Sequence, residues 1–527
     1  MIVQTVARLR RPFFGATNVS PGQRVLLACI AATFPVAAIA LRFRCVGCLL
    51  EHYDDAYITY RYARNLATGH GLVFNPGEAT DSASSWLYTL LLALGYRLGI
   101  HDLRALSLGL GLAGAAVTGA VVMLACLART NRWWLSLGLA AATGCHGFIA
   151  GWAVSGMETL FFTALVALAV YRLFVLRTLG WTESLLVSAC VLTRLEGLLL
   201  AAAFAVLALA RALAGDAVAS QRRRVAMQAG AVALAFAVFL LFKWRSYGTL
   251  LPHAFELKRI TSLYAPDPNA LFRLWLALAP CLLLLGGAGL LHVSRDLHGA
   301  VFVSYCALSA ASLALGPSAD WARYSVHMLP VAAILGCIPL SILWQHVPVL
   351  AIAALISLGL DARGAFQEIQ NSNQMGQGHA KCRETVGRYI ESNLSPGSWV
   401  VSSDIGAIAY AAPSIRFIDT VGLTSSDILR ARSKASSPEP ILFAKQPLVI
   451  ADSCDGSCTK PRQFSADHWL SRDHYWLTPL PAHERYFDQL KDGRELTRCV
   501  TSDKFVVGAA KFTRRVPGPA QDAQRIK

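Results

Sequence analysis

From residue 25 to residue 360 the chain alternates long apolar runs with short polar turns, and most of the runs are long enough to ask for a membrane span, which takes roughly 20 apolar residues. The runs fall at residues 25–43, 103–127, 133–150, 160–176, 185–192, 198–210, 225–242, 271–291, 301–315, 326–343 and 347–360. They predict a polytopic α-helical membrane domain of about eleven membrane segments. A further apolar stretch, 86–98, would make roughly 20 Å of helix against a hydrocarbon core of about 30 Å, and it is read as a helix lying at the interface. The 185–192 run is shorter still, so the charged turn after it should be recessed and face protein or water instead of lipid. Beyond residue 360 the pattern changes. Residues 361–527 mix charged, polar and aromatic positions with no apolar run of spanning length, and their alternation predicts a helix at 382–393, a strand at 399–402, a short helix at 405–411 and a strand at 416–419. Later strands are predicted at 448–450 and 505–507. Strands alternating with helices describe a small soluble α/β domain.

Composition agrees with a membrane protein. Of 527 residues 55% are hydrophobic and 15% charged, against roughly a quarter charged in soluble chains, and the mean hydropathy is +0.45. The net charge of +16 does not call for nucleic acid, because much of it sits in short turns between apolar runs, where basic residues hold a loop on the cytoplasmic side. On that rule residues 1–24, with Arg8, Arg10, Arg11 and Arg24, form a cytoplasmic N-terminus. The membrane domain follows at 25–360, and the domain at 361–527 is exported. The implied setting is a bacterial inner membrane with an extracytoplasmic, periplasmic C-terminal domain. The outward turns then carry Asp54-Asp55, Ser155 to Glu158, Thr193 to Gly197, Lys243 to Lys258 and Asp320 to Tyr324, while the inner turns hold mostly arginine. Most cysteines lie inside apolar runs as small hydrophobes. Cys45 and Cys48 lack the second pair a zinc site needs. Cys382, Cys454, Cys458 and Cys499 could form one or two disulfides if their domain is exported.

The outer turns supply the candidate chemistry. Asp54 and Asp55 precede a helical pattern at 56–67, so one of them could simply cap that helix. Two adjacent carboxylates followed by Tyr57, Arg61 and Arg64 at helical spacing exceed what a cap requires. Transfer of a sugar from a polyprenyl phosphate expels a stable phosphate anion. One carboxylate base for the acceptor hydroxyl therefore suffices, whereas a glycoside hydrolase commonly uses two. The leaving phosphate calls for fixed positive charge or donors. Arg194, Lys243, Arg245, His253, Lys258 and Arg323 are the basic candidates for substrate binding, with Glu158, Glu196 and Asp320 as polar partners. Each also has an ordinary reading. Lys243 and Arg245 could snorkel to headgroups, Arg194 with Glu196 and Asp320 with Arg323 could be structural ion pairs, and Glu158 could tie neighbouring helices. Asp54 and Asp55 are also candidate ligands for a divalent cation.

The run from Asp54 through Leu66 and on through Gly69 to Glu78 resembles the first outer loop of bacterial GT-C glycosyltransferases of the terminal β-(1→2)-arabinofuranosyltransferase (AftB) family. Trp152 to Thr159, Tyr247-Gly248 with Leu251-Pro252 and Lys258, Asp320-Trp321 with Arg323-Tyr324, Asp404 to Tyr410 and Ile418 to Thr424 carry the resemblance further along the chain. It implies a polyprenyl-phosphate arabinofuranose donor, an extracytoplasmic glycan acceptor and a first-loop aspartate as base, which carries over onto Asp54; Asp55 would assist a metal or phosphate contact. The chain departs from the family pattern in three places. Leu195 stands within Arg194-Leu195-Glu196-Gly197 where proline is usual, Ala79 to Ser85 replace a Glu-Gly-Tyr type of run, and His253 follows Pro252 where asparagine is common.

In the tail, Asp404 and Asp419 follow strand ends, where ligands often bind, although turn-holding is the commoner role there. The expected function is an inner-membrane glycosyltransferase whose partners are the bilayer, a polyprenyl-phosphate-linked sugar and a glycan or glycoprotein acceptor. Two alternatives stay open: glycosylation of an exported protein such as a pilin, and a non-enzymatic transporter or flippase of lipid-linked sugar. A transporter predicts internal repeats and mid-span charges. The sequence has neither, and its polar residues gather at one face.

Overall fold

The computed structural model describes residues 19–42, 52–213, 219–250, 252–260, 280–293, 296–315, 321–360, 383–388, 390–392, 394–434, 441, 444–445, 449–454, 476–477 and 504–511. The chain divides into two compact units. The first comprises Met1–Ala56, Ala83–Leu250 and Thr261–Gln374; the second comprises Tyr57–Ser82, Leu251–Ile260 and Met375–Lys527. Sequence composition had separated two consecutive stretches at residue 361. The second unit instead also takes in the chain just after Asp54-Asp55 and the short helix His253–Ile260.

The first unit is helical. Among the described residues four helices are long and apolar enough to cross a membrane: Pro21–Leu41, Leu103–Thr130, Arg222–Tyr247 and Met328–His346. Five shorter apolar helices accompany them: Thr159–Val175, Trp181–Thr193, Gly197–Leu213, Leu297–Leu313 and Pro348–Leu360. The protein is therefore a multi-pass membrane protein. Two expected segments look different in the structure. The run at 133–150 breaks into Trp133–Gly144 and Gly147–Ala153, because His146 leaves helical geometry and its ring nitrogen accepts the Phe148 N–H as a cap. The run at 160–176 ends in a π-helical turn, Tyr171–Val175. The 86–98 stretch is the helix Trp86–Arg97, of 12 residues, hence about 18 Å long. Of the 271–291 run, the described part is the helix Pro280–Leu290.

The helix Leu103–Thr130 organises this unit. Asp102 caps its start by accepting from Arg104 N and Ala105 N, and Asn131 ends it in the left-handed conformation at φ 54°. Gly111 and Gly114 lie one turn apart on it. A Cβ at the first would collide with the Ala153 carbonyl, and one at the second with that of Leu160. The missing side chains thus let the turn between Ala153 and Leu160 lie directly on the helix. Around them Ala115, Val122, Phe148, Ile149, Val154, Leu160, Val326 and Leu329 form a fully buried core.

The second unit contains a five-stranded mixed sheet in the order β2-β1-β3-β5-β4. Strands β1 (Trp399–Ser402) and β2 (Arg416–Asp419) are parallel, as are β1 and β3 (Val449–Cys454); β5 (Lys504–Lys511) is antiparallel to both β3 and β4 (Trp476–Leu477). The helices Ala407–Ala411 and Ser426–Ser433 follow β1 and β2.

Residues 57–82 are built into this unit by polar side chains. Arg61 is fully buried, and its guanidinium donates to the carbonyls of Phe74 (2.8 Å), Ala412 (3.1 Å), Ile415 (2.6 Å) and Ala409 while lying over the Phe74 and Phe417 rings. Burial pushes it down to about 9, so it remains charged at neutral pH. Asn75 exchanges two hydrogen bonds with the Phe417 backbone (2.8 and 3.0 Å), Arg64 donates to Tyr410 O (2.8 Å), and Ser82 donates to Leu423 O. Of the tail aspartates, Asp404 takes Arg383 Nη2 at 2.7 Å, and Asp419 accepts the N–H groups of Val421 (2.8 Å) and Thr424 (2.7 Å) at the end of β2. Both hold turns.

Two consequences are measurable. Replacing Arg61 with Met removes one donor from each of four carbonyls, of which Phe74 O keeps Asn65 Nδ2 and Ala409 O and Ala412 O keep backbone N–H donors. The second unit should lose about 3 kcal/mol, seen as earlier proteolytic cleavage within residues 394–434, whereas intact resistance would remove the anchoring role. Asp419 is raised from 3.8 to about 6, chiefly by burial, against the pull of its N–H donors. It binds a proton more tightly folded than unfolded, so the stability this contributes is complete below about pH 4 and is lost as pH rises through about 6. Thermal unfolding of the purified protein between those values should show a fall that Asp419→Asn flattens.

Candidate functional site

In the first unit the turn after Ala153 is fixed from three sides. Ser155 Oγ donates to Trp152 O (2.8 Å) and accepts Met157 N (3.2 Å), and Gly156 takes a positive φ of 78°, which suits glycine. The Gly156 carbonyl receives Ser107 Oγ (2.8 Å) and Tyr88 Oη (3.3 Å). This scaffold holds Glu158 just before the helix Thr159–Val170 begins. Tyr53 N donates to Ser155 O at 3.1 Å, and the Tyr53 ring stacks on Trp152 with centroids 5.3 Å apart. The helix Asp54–Ala67 starts immediately afterwards, with Asp54 and Asp55 as its first two residues.

Glu158 is the centre of an ion-pair chain. Its Oε1 accepts both Arg194 Nη1 (3.0 Å) and Arg323 Nη2 (3.1 Å). Arg194 also forks onto Glu196, at 3.0 Å to Oε1 and 3.4 Å to Oε2, and Arg323 Nη1 lies 3.7 Å from Asp55 Oδ2. The chain therefore runs Glu196, Arg194, Glu158, Arg323, Asp55. Exposure rises from Glu158 toward Asp55, with the side chains of Glu158 at 3%, Arg323 at 9% and Asp55 at 57%. Both guanidinium groups face the Tyr324 ring, at 4.6 Å for Arg194 and 5.7 Å for Arg323. Burial raises the Glu158 carboxyl, yet Arg323 and Arg194 together overcome that and hold it below the usual carboxylate range. A buried carboxylate thus fixes two permanent cations beside a solvent-facing one, an arrangement able to steady an anion near a base.

Of the residues expected from sequence, Asp55, Glu158, Arg194, Glu196 and Arg323 come together, with Asp54 adjoining. The Arg194–Glu196 pair and the tying role of Glu158 both exist, joined into one network. Tyr57 and Arg61 belong elsewhere: Tyr57 Oη donates to Glu384 at 2.7 Å, and Arg61 spends its donors on backbone carbonyls. Their helical spacing from Asp54 goes with packing inside the second unit. His253 is buried in that same unit, with its N–H on Asp81 O at 2.9 Å. Lys243 is buried beside the Phe239 ring, and Arg245, two residues on, is exposed. Asp320 and the side chain of Lys258 lie outside the described residues, as do Cys45, Cys48, Cys382, Cys458, Cys499 and the side chain of Cys454. Among the described residues no group of three or more His, Cys, Asp or Glu could hold a metal ion. Asp55 instead faces a guanidinium. The pairing of Tyr53 with Trp152 escaped sequence reasoning; the signal available was a tryptophan beside a polar turn.

A family model described as a domain of unknown function, DUF8728, matches residues 367–489. Among curated proteins no significant match is found. Solved structures are similar over most of the chain. ArnT from Cupriavidus metallidurans, bound to undecaprenyl phosphate, aligns with 95% of this chain and 100% of its own at 12% identity and a TM-score of 0.54. The archaeal oligosaccharyltransferase AglB from Archaeoglobus fulgidus, in complex with an inhibitory peptide and a dolichol-phosphate, aligns with 94% of this chain and 75% of its own at 10% identity and a TM-score of 0.55. An apo oligosaccharyltransferase from the same organism covers 82% of this chain and 70% of its own at 11% identity, with a TM-score of 0.53. At these identities the likeness is one of fold, shared with ArnT and the archaeal oligosaccharyltransferases.

Removing the charge of Glu158 leaves two buried guanidinium groups facing each other. Glu158→Gln should therefore cost about 3 kcal/mol. Glu196→Gln, whose side chain is 23% exposed, should cost less. Melting temperatures of the two purified variants in the same detergent test the ranking, and equal values would demote Glu158 from the centre.

Proposed function

We propose that the protein is a glycosyltransferase that moves a sugar, arabinofuranose, from a polyprenyl-phosphate donor to an acceptor glycan outside the cytoplasm. The observation that carries this reading is the juxtaposition of Asp54-Asp55 at a helix start with two arginines held by one buried glutamate. The GT-C fold, seen in structures bound to undecaprenyl phosphate and to a dolichol-phosphate, supports the donor class. The first-loop motif supports the choice of sugar. The basic inner turns support a cytoplasmic N-terminus in a bacterial inner membrane and an exported tail.

In this mechanism Asp54 accepts the proton of the acceptor hydroxyl as that oxygen attacks the anomeric carbon. The bond from that carbon to the phosphate oxygen breaks, and polyprenyl phosphate departs with the electron pair. Arg323 and Arg194 stabilise the anion, so no acid is needed to protonate it. Asp55 holds Arg323 toward the reacting centre through their ion pair. The five-residue network carries a formal charge of −1 if all its carboxylates are ionised: two arginines against Asp55, Glu158 and Glu196. A phosphate that draws Arg323 away from Asp55 therefore gains a cation without meeting Glu158, which stays buried behind it.

Decaprenyl-phosphate arabinofuranose with an arabinofuranoside acceptor is the assay. Asp54→Asn should lower kcat by about 10²- to 10⁴-fold, the usual worth of a general base, and Asp55→Asn should act less severely and raise the donor KM. Near-normal transfer by Asp54→Asn would sink the catalytic assignment, and transfer from no polyprenyl-phosphate sugar would sink the donor class.

A further inference from the structure

Beside the proposed base, the structure buries a hydrogen-bond donor for which it offers no partner. Trp152 Nε1 is shielded from solvent and has no hydrogen-bond partner among the described residues. An indole N–H can only donate, and a buried donor left unmatched is tolerated where something else supplies the acceptor. The ring is held in place. One face is stacked on Tyr53 at an interplanar angle of 16°, and the backbone of Trp152 receives Ser155 Oγ at 2.8 Å while Ser155 O receives Tyr53 N at 3.1 Å. Tyr53 is the residue before Asp54, so the indole is tied to the same short stretch as the base.

We propose that Trp152 determines acceptor recognition, its indole N–H donating to an oxygen of the acceptor sugar whose neighbouring hydroxyl Asp54 deprotonates; the proposal rests on the glycosyl-transfer reading above. Charge selects the acceptor over the donor phosphate. An anionic oxygen is better served by Arg194 and Arg323, whose charged donors lie on the Glu158 side of the turn. A neutral donor suits a neutral hydroxyl or ring oxygen. Aromatic residues also match a sugar's shape, with an apolar ring body for its C–H faces and a polar edge for its rim of hydroxyls.

Trp152→Phe keeps an aromatic ring for Tyr53 to stack on and deletes only the donor. With the donor and acceptor pair that supports transfer by the unaltered protein, the acceptor KM should rise about five- to tenfold, the worth of one hydrogen bond. The donor KM and kcat should stay within about twofold. An unchanged acceptor KM, or a rise in the donor KM instead, overturns the proposal. A series of mono-deoxy acceptors on the unaltered protein is independent of any folding defect. At least one non-reacting hydroxyl should be worth a similar factor, and that factor should vanish in Trp152→Phe; if no hydroxyl matters, the inference fails. A silent Trp152→Phe alongside an inactive Asp54→Asn removes this inference alone. An active Asp54→Asn, or no transfer with any pair, removes the reading beneath it.

Discussion

Glu158 Oε1 accepts from two guanidinium groups at once, and the candidate site is arranged around the need to satisfy that contact. Two arginines this far from water repel each other and lose hydration, so neither could stay without a carboxylate between them. Glu158 can take that position because glycines on the Leu103–Thr130 helix let its turn lie against the helix backbone, and because Ser107 and Tyr88 grip the Gly156 carbonyl. Arg323 then reaches the exposed Asp55, and Arg194 reaches Glu196. A chain of alternating charge leads from the protein interior to the first residues of a helix, with its solvent-facing end at Asp55.

Arg61 faces the same physical problem and meets it differently. Backbone carbonyls and two aromatic faces replace water around its guanidinium instead. That solution needs many rigid acceptors converging from different segments, which makes it a device for holding a fold together. The two kinds of buried arginine look alike in sequence. Their partners separate them: a carboxylate that could yield a cation to an incoming anion, or carbonyls that could not.

The elements were legible to very different degrees. The strands at 399–402 and 416–419 could be read residue for residue, because β-branched and aromatic runs bounded by turn residues leave little choice. The membrane helices were legible as apolar runs, but their lengths and breaks were not: His146 splits one and a π-turn ends another, and both depend on local hydrogen bonds that hydropathy does not register. At the site, the charged residues of the outer turns were visible one at a time, while Trp152 with Tyr53 was not singled out, since an aromatic beside a turn is ordinary until its ring partner and its unmatched N–H are seen.

The sequence by itself determined the membrane character, the α/β pattern of the tail and the set of charged residues from which a site could be drawn, because hydrophobic periodicity and charge are properties of single positions and their near neighbours. Tertiary structure alone decided which of those charges act together. It sent Tyr57 and Arg61 into the packing of the second unit and gathered Asp55, Glu158, Arg194, Glu196 and Arg323 across more than 250 residues of chain, from position 55 to position 323. The physical reason is that a buried charge is tolerated only beside its counter-charge, and that neighbour is supplied by the folded chain, never by spacing along it.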